Sequence, residues 1–368
     1  MKIVSDPLMP ALIAVIGGAA LALVVFVPFV AASYRRRGQV GWGRALLAGA
    51  SLVYALALVA YTLLPFPEVG EGFCDSRIAR AGAQTRPFAW IDDMAAFDVA
   101  NPLRNPALLQ VLMNVALFVP LGMLLRHLGG RSVLVTTLVG AAVSTLIECT
   151  QLTGNWFLYP CPYRLFDVDD LIANTAGAFL GALAAPLLRI VPGQRLTAEP
   201  GAPRPVTIPR RLLGILCDIL GAWLTGAFLV ASLHAILLLT GGSERAEWVV
   251  ALDPVLGTWV PLVVLFVVVP MLGRGGTVGQ RAVLLRPALP DGGVPSRARL
   301  LARSVLGVGG YLLLEGAGAA GLASLWGLVS LVGLFVIAER RGIAGVLTAT
   351  VMLDRRVPAP SAALWSHN

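Results

Sequence analysis

The segment RLFDVDDLIANTAGAFLG, residues Arg164–Gly181, decides how this chain is interpreted. Its second half is mostly apolar and small, as in a membrane span, whereas its first half carries Arg164, Asp167, Asp169 and Asp170. An ionisable side chain at the bilayer centre costs about 2.5–3.5 kcal/mol on insertion scales, so such residues must pair or face water. The segment therefore predicts a helix whose polar face points into a bundle.

The composition is that of a polytopic membrane protein. Hydrophobic residues make up 57% of the 368 residues and charged residues 13%, whereas roughly a quarter of a soluble domain is charged. We predict an all-α membrane bundle with about nine transmembrane helices, because apolar stretches long enough to cross roughly 30 Å of hydrocarbon recur along the chain. They lie near residues 8–32, 44–64, 106–125, 131–152, 168–189, 212–239, 250–272, 301–314 and 319–338, the eighth being short.

The distribution of positive charge predicts the orientation. Basic loops are retained in the cytoplasm, and with the N-terminus outside, three quarters of the 28 Lys and Arg residues fall on the inner side. We therefore expect a multi-pass protein of a plasma membrane with its N-terminus outside and a cytoplasmic C-terminus. The net charge of +8 is mostly an orientation signal that also suits anionic membrane lipid. Binding to nucleic acid is the weaker interpretation.

The same topology places Cys74 and Cys161 in two exterior loops, and Cys149 and Cys217 in or at the end of apolar spans. An oxidising exterior permits a disulfide between the first two. Sequence does not supply the geometry that such a bond requires, so the pairing stays open at this point.

A Pro- and Arg-rich stretch at residues 191–210 predicts a cytoplasmic linker. It separates a first transmembrane domain, residues 1–190, from a second at 211–353, which is followed by a cytoplasmic tail at 354–368. No internal repeat relates the two halves, so an inverted-repeat transporter gains no support.

The polar residues of the first domain are spaced to share helix faces. Asp167, Asp170 and Asn174 follow i, i+3, i+7 and predict one face of the fifth span, while Glu148 and Gln151 are also i, i+3. By depth, these residues can meet in the outer half of the bilayer.

Two further residues complete this candidate site. Asn114 lies inside the third span. Arg164 is the nearby cation, whose guanidinium can form a bidentate ion pair with Asp167, Asp170 or Glu148. We take Arg164 and Asp170 as its paired core. The set is either a shared binding site or a purely structural ion-pair lock. Asp167 or Asp169 fits a simple cap at the start of the fifth span, and for Asp169 the cap is the preferred interpretation, because acids are favoured in the first turn of a helix.

Four segments together resemble the VanZ-like family of small membrane proteins: TLLPF at 62–66, NVALFVPLG at 114–122, STLIECTQL at 144–152 and Arg164–Gly181. The resemblance covers about residues 40–190. It implies association with resistance to the lipid-anchored glycopeptide teicoplanin, without an established catalytic role. Its polar positions fall on Asn114, Glu148, Gln151, Arg164, Asp167, Asp170 and Asn174.

The exterior loop at residues 65–105 mixes aromatic and acidic residues, which suits the headgroup boundary of a membrane. It predicts either a lipid-facing lip or an ordinary aromatic belt. The residues are Phe66, Phe73, Phe88, Trp90, Asp92, Asp93 and Phe97.

The second domain opens with PRRLLGILCDIL, which places Arg210 and Arg211 at the interface and Asp218 about two turns into the membrane. A buried aspartate needs a partner. The candidates are Arg211, through snorkelling, and Glu315 of another helix.

The later segment GGTVGQRAVLLRP lacks the Gly-Lys-Ser/Thr ending of a phosphate loop. With the preceding Arg and Asp it resembles the RDD family, over about residues 205–353, through a GxTxGxR loop containing Gly276, Thr277, Gly279 and Arg281. An acidic residue usual in that family is missing near Ala344 and Gly345. Arg281 and Arg286 either contact phosphates of the inner leaflet or are basic residues that only keep their loop on the cytoplasmic side.

The sequence contains no metal-ligand spacing, nucleotide fingerprint or nucleophile elbow, so we expect no metal and no cofactor. The preferred hypothesis is a non-enzymatic envelope protein whose outer-leaflet pocket binds a lipid-linked or amphiphilic ligand, such as a lipid-linked cell-wall precursor or a lipoglycopeptide. A transporter that uses Asp218 together with the outer site is the first alternative. An intramembrane enzyme with Glu148 or Asp170 as general base is the second. The sequence does not determine an oligomeric state.

Overall fold

The computed structural model describes residues 8–63, 69–70, 72–75, 82–97, 101–194, 199, 201–242, 246–272 and 275–357. It confirms the all-α class, with two short two-stranded sheets added. Within these ranges, seven helices are long and apolar enough to cross a membrane by length and composition, and they correspond to the first seven predicted spans. The spans predicted at 301–314 and 319–338 fall on shorter helical segments, so the larger count stays a prediction.

The chain divides into two compact units, one formed by residues 1–22 and 41–195 and the other by residues 23–40 and 196–368. Helix α1 contributes to both. The elements up to residue 190 are α1 (Leu8–Arg37), α2 (Trp42–Leu63), a 3-10 turn (Phe73–Asp75), β1 (Ala83–Gln84), α3 (Ala89–Ala96), a 3-10 turn (Pro102–Arg104), α4 (Pro106–Gly129), α5 (Val133–Leu152), a helical turn (Gly154–Phe157), β2 (Phe166–Asp167), α6 (Val168–Ala184) and a 3-10 turn (Ala185–Ile190).

The second unit is built on a helix of 33 residues that begins after the linker. Its elements are α7 (Ile208–Thr240), α8 (Glu247–Met271) with π-helical turns at Val255–Trp259 and Val264–Val268, α9 (Val278–Ala282), β3 (Leu285–Ala288), α10 (Arg297–Ser304), a π-helical turn (Val305–Gly309), α11 (Gly310–Gly316), α12 (Ala320–Val336), a 3-10 turn (Ala338–Arg340), α13 (Gly342–Leu347) and β4 (Val351–Asp354).

Helix α6 is the most enclosed of the long apolar helices, with 39% of its most apolar window buried. Small residues make this enclosure possible. A Cβ on Gly177 would lie 2.3 Å from the Val115 carbonyl oxygen, and one on Gly181 would lie 2.0 Å from that of Val119. Such small positions let helix backbones approach closely in a membrane protein. The apolar half of the segment Arg164–Gly181 therefore packs directly on the backbone of α4.

The core of the second unit gathers residues from distant parts of the chain. Val30 and Tyr34 of α1 pack with Leu213 and Cys217 of α7 and with Leu285 of β3. Strands β3 and β4 pair antiparallel. This arrangement places the start of α7 against a small two-stranded antiparallel sheet, which was not predicted.

Parts of four predicted features lie outside the described residues. They are the last three residues of the TLLPF motif, including Phe66, residues 65–68, 71, 76–81 and 98–100 of the loop at 65–105, residues 195–198 and 200 of the linker, and residues 358–368 of the tail.

Candidate functional site

The charged half of the Arg164–Gly181 segment forms β2 and the first turn of α6. Strand β2 pairs in parallel with β1 of the exterior loop, with Gln84 opposite Asp167. The Asp167 carboxylate caps α6 by accepting a hydrogen bond from the Asp169 backbone N–H at 2.8 Å, and it accepts another from Gln84 Nε2 at 3.0 Å. The cap of the fifth span is therefore Asp167, and Gln84 is a contact that the sequence analysis missed.

Asp169 was predicted to be a cap of its own helix, and this prediction is wrong. Its carboxylate, 5% exposed, accepts hydrogen bonds from the backbone N–H groups of Phe88 at 2.5 Å and Trp90 at 3.2 Å. These groups lie at the start of α3, whose N-terminal N–H groups lack partners within the helix. Asp169 thus holds α3 against the start of α6, a contact across about 80 residues that local sequence rules do not reveal.

Asp170 is half-buried, as is Asp167. Its Oδ1 accepts hydrogen bonds from Asn114 Nδ2 and from Gln110 Nε2, the latter at 3.3 Å. The predicted pairing of Arg164 with Asp170 is therefore wrong, because two amides hold this oxygen instead. Gln110 was not predicted, although it precedes Asn114 by one helical turn. Among the described residues no group donates to Asp170 Oδ2.

Glu148 is almost fully buried, with 2% of its surface exposed. Its Oε2 accepts a hydrogen bond from the Asp167 backbone N–H at 3.1 Å, so α5 is joined to the start of α6. Arg164 is half-buried and close enough for its charge to act on Glu148, as do the charges of Asp167 and Asp170. These four predicted residues are thus brought together in one electrostatic neighbourhood.

Two other predicted residues are buried but point elsewhere. Gln151 donates from Nε2 to the Thr62 carbonyl oxygen at 2.9 Å and so joins α5 to α2. Asn174 donates from Nδ2 to Ser144 Oγ at 3.0 Å, deep between α5 and α6. Both side chains join helices of the bundle, and neither contacts the carboxylates through a hydrogen bond given by the structure.

Burial shapes the electrostatics at the exterior edge of the site. It raises the pKa of the Asp167 carboxyl above its ordinary value, an effect opposed by the Asp169 backbone N–H and reinforced by the Asp169 charge. Burial also raises the pKa of the Tyr163 phenol, while the Arg164 charge lowers it. The phenol donates to the Leu63 carbonyl oxygen at 3.1 Å. The edge of the site is therefore partly shielded from water.

A disulfide joins Cys74 to Cys161, with their Cα atoms 5.7 Å apart, and Cys149 and Cys217 are free thiols. The bond ties the loop at residues 65–105 to the segment before β2. Several large apolar side chains of this loop and of residues 156–158 are exposed, as expected where a protein meets a membrane surface. The exposed rim comprises Phe88, Ile91, Phe97, Leu103, Trp156, Phe157 and Leu158.

In the second unit, Arg210 is buried and forms an ion pair with Asp354 at 2.9 Å. It also donates to the carbonyl oxygens of Val283 and Leu284, both at 2.9 Å, and its guanidinium lies 5.4 Å from the centre of the Tyr34 ring. The interfacial position predicted for Arg210 stays a prediction, and the structure adds an ion-pair partner that was not predicted. Asp354 is the last residue of the apolar strand β4, where nothing local indicates a partner.

The predicted partners of Asp218, Arg211 and Glu315, are wrong. Asp218 accepts from the Thr277 hydroxyl and from the Gly279 backbone N–H, both at 2.6 Å. A Cβ on Gly279 would lie 1.9 Å from the Gly214 carbonyl oxygen, so only glycine lets this loop reach α7. The GxTxGxR loop thus acts as a clamp on a buried carboxylate.

The rest of that loop is also turned inward. Arg281 donates to the carbonyl oxygens of Gly276 at 3.0 Å and Val269 at 2.6 Å, which belong to the loop and to the end of α8. Arg286 is 2% exposed. Arg286 is therefore enclosed, whereas Arg281 is half-buried, and contact of these arginines with lipid phosphates stays a prediction.

Comparison with known proteins addresses the first unit. Residues 51–189 match the family model VanZ/LLP1. The matched segment is therefore VanZ-like, and it contains every polar residue predicted for the first domain. No curated protein and no solved structure matches the chain. The resemblance of residues 205–353 to the RDD family stays a prediction.

Proposed function

We propose that this chain is a multi-pass protein of a bacterial cell envelope whose first unit binds the headgroup of a lipid-linked or amphiphilic ligand at the outer leaflet. The observation that carries the proposal is the geometry of Asp170. Both amides donate to its Oδ1, and Oδ2 receives no hydrogen bond from the described residues. A carboxylate that is held in place and still has acceptor capacity can receive a donor from a ligand.

The excess of carboxyl groups at the site indicates which kinds of headgroup it can bind. Among the described residues, the carboxyl groups of Glu148, Asp167, Asp169 and Asp170 lie close enough for their charges to interact, and the guanidinium of Arg164 acts on Glu148. A headgroup that donates hydrogen bonds through hydroxyl or amine groups, such as a sugar, fits this excess of acceptors. A headgroup made only of phosphate would be repelled unless it reached Arg164.

The apolar rim supports an amphiphile over a free sugar. Phe157 is 81% exposed and Leu158 is 74% exposed in the segment that the disulfide anchors. Side chains of this kind enter the headgroup region of a membrane and contact acyl chains there. A ligand with a polar head and an apolar tail satisfies both parts of the surface.

The VanZ/LLP1 match of residues 51–189 adds a specific expectation, protection against teicoplanin. Teicoplanin carries a lipid tail, whereas vancomycin does not. We propose that the site distinguishes the two by this tail and contributes to resistance without catalysis. Asp218 of the second unit is held on both oxygens, which favours a structural role for it over an ion pathway shared with Asp170.

The experiment is drug susceptibility in a sensitive Gram-positive host at matched membrane levels of three proteins: wild type, Asp170→Asn and the control Asp93→Asn. Asparagine keeps an Oδ1 acceptor for the two amides and removes the charge. We expect selective protection against teicoplanin from wild type and the control, and none from Asp170→Asn. Equal protection by all three would refute the role of Asp170. Flux that requires both Asp170 and Asp218 would favour a transporter, and an altered lipid profile on overexpression would favour an enzyme.

A further inference from the structure

The second unit contains a cavity of about 430 Å³ between α7 and the helices that follow β3. This volume lies within the range of about 300–1,000 Å³ typical of small-molecule sites. Most of its wall is apolar and continues along the helices, which suits an acyl chain. The apolar lining includes Ile215, Ile219, Leu306, Val308, Leu331 and Leu334.

One part of the wall is strongly basic. Arg211, in the first turn of α7, and Arg303, near the end of α10, both line the cavity. Arg303 is 5% exposed, and it donates from Nη1 to the Thr350 hydroxyl oxygen. Its Nε and the Nη1 of Arg211 are buried and have no hydrogen-bond partner among the described residues. Two guanidiniums, that of buried Arg303 and that of half-buried Arg211, therefore retain buried donors at one cavity.

Two hydroxyl groups of the cavity wall are also buried without a hydrogen-bond partner in the described part of the chain. Ser304 Oγ, next to Arg303 in the chain, and Ser330 Oγ of α12 are buried and lack a hydrogen-bond partner within the described ranges. Buried polar atoms in folded proteins are nearly always satisfied. Four unsatisfied polar groups at one cavity are typical of a site that a ligand completes.

The carboxylates near the cavity do not neutralise these arginines. Asp218 lines the cavity, but its two oxygens are bound by Thr277 and Gly279. Glu339 pairs with a third arginine of the lining, Arg341. Arg211 and Arg303 also lie close enough to repel each other. Uncompensated buried charge is costly, and an anion placed between the two guanidiniums would remove that cost.

We propose that this cavity binds the phosphate headgroup of an anionic phospholipid, with an acyl chain along the apolar wall. Arg211 is the fourth residue of a helix long enough to span a membrane, so the basic end of the cavity lies at the depth of lipid headgroups. Basic pockets between transmembrane helices are known sites for anionic headgroups. The site differs in charge from the acidic site of the first unit and is independent of it.

The test uses the purified full-length protein in a neutral detergent. Its thermal midpoint is measured as phosphatidylglycerol, phosphatidylcholine or inorganic phosphate is added. We expect stabilisation by phosphatidylglycerol at concentrations at least tenfold lower than by either alternative. Equal stabilisation by phosphatidylcholine would overturn the role of the charge, and equal stabilisation by inorganic phosphate would overturn the role of the chain.

Variants assign the effect to the cavity. Arg303→Gln and Arg211→Gln should each weaken the phosphatidylglycerol effect by about tenfold or more, the loss expected for a hydrogen bond to a charged group. Arg299→Gln, an exposed arginine one turn earlier on α10, is the matched control and should change nothing. Unchanged binding by folded Arg303→Gln would refute the proposal.

A further variant, Gly327→Leu, fills the cavity and leaves both arginines in place. A Cβ on Gly327 would lie 3.6 Å from the Tyr311 ring, an ordinary contact, so Gly327→Leu can be accommodated at its Cβ while its longer side chain occupies cavity space. We expect Gly327→Leu to fold and to lose the phosphatidylglycerol effect. Retention of the full effect would contradict a site in this cavity, even if the arginine variants failed to fold.

Discussion

Substitution of Asp169 by Asn should release the exterior helix α3 while the membrane helices stay folded. The Asp169 carboxylate accepts from the backbone N–H groups of Phe88 and Trp90, which begin α3. Asparagine retains one acceptor oxygen and directs an NH₂ group toward the other donor. The change therefore removes about one charge-assisted hydrogen bond.

The free-energy cost of Asp169→Asn follows from the loss of this one hydrogen bond. A buried hydrogen bond to a charged group contributes about 1.5–3 kcal/mol. Because every 1.4 kcal/mol is a factor of ten, local opening of α3 should become roughly ten to a hundred times more frequent in Asp169→Asn. No comparable change is expected in α4 or α5, whose packing does not involve this carboxylate.

Hydrogen–deuterium exchange measures this opening directly. The amides of Ala89–Ala96 should exchange roughly ten to a hundred times faster in Asp169→Asn than in wild type. Asp93→Asn is the control, because it removes an exposed carboxylate from α3 itself. Unchanged protection of α3, or an equal loss throughout the membrane helices, would refute the assignment of Asp169 as the anchor of this helix.

Four further outcomes are expected. Gly181→Ala should destabilise the protein by about 1–3 kcal/mol in thermal unfolding, because its Cβ would lie 2.0 Å from the Val119 carbonyl oxygen; an unchanged midpoint would show that the helices are not in contact there. Arg210→Gln should cost about 3–5 kcal/mol by breaking a buried ion pair, whereas Arg299→Gln at an exposed position should stay within about 0.5 kcal/mol; similar midpoints for the two would contradict the pair. Burial opposes ionisation of Asp354, but the hydrogen bonds and charges of neighbouring arginines hold the pKa of this carboxyl below its usual range. Its contribution to stability is therefore full above the ordinary pKa of 3.8 and is lost as the pH falls through the lower pKa of the folded state. The difference in unfolding free energy between wild type and Asp354→Asn should be smaller at pH 3 than at pH 7, and an equal difference at both would contradict the lowered pKa. Thiol labelling of the denatured protein should modify two cysteines before reduction and four after it, and four in both cases would disprove the disulfide.

Long apolar runs made the membrane helices predictable, because crossing hydrocarbon imposes both length and composition on a helix. The polar face of α6 was predictable for the same reason. The partners of its carboxylates were not. Asp169 binds Phe88 and Trp90, which are local to it only after the exterior loop has folded back over the bundle.

The partners of polar residues in the second unit were not predictable either. The cost of burying Asp218 predicts a partner, and a cation was the natural candidate. The structure satisfies the carboxylate with the Thr277 hydroxyl and the Gly279 backbone N–H instead, and a backbone donor has no side-chain signature in a sequence. The ion pair of Arg210 with Asp354 joins positions 144 residues apart, which spacing rules do not connect.

The most direct test of the proposed function is ligand binding by the full-length protein in nanodiscs. The dissociation constants of teicoplanin and of vancomycin would be measured for wild type, Asp170→Asn and Asp93→Asn, with empty nanodiscs as the baseline. We predict that wild type and Asp93→Asn bind teicoplanin more tightly than vancomycin, and that Asp170→Asn binds teicoplanin about tenfold more weakly, as expected for the loss of one charged hydrogen bond. Equal teicoplanin affinity for wild type and Asp170→Asn would contradict a ligand site at this carboxylate.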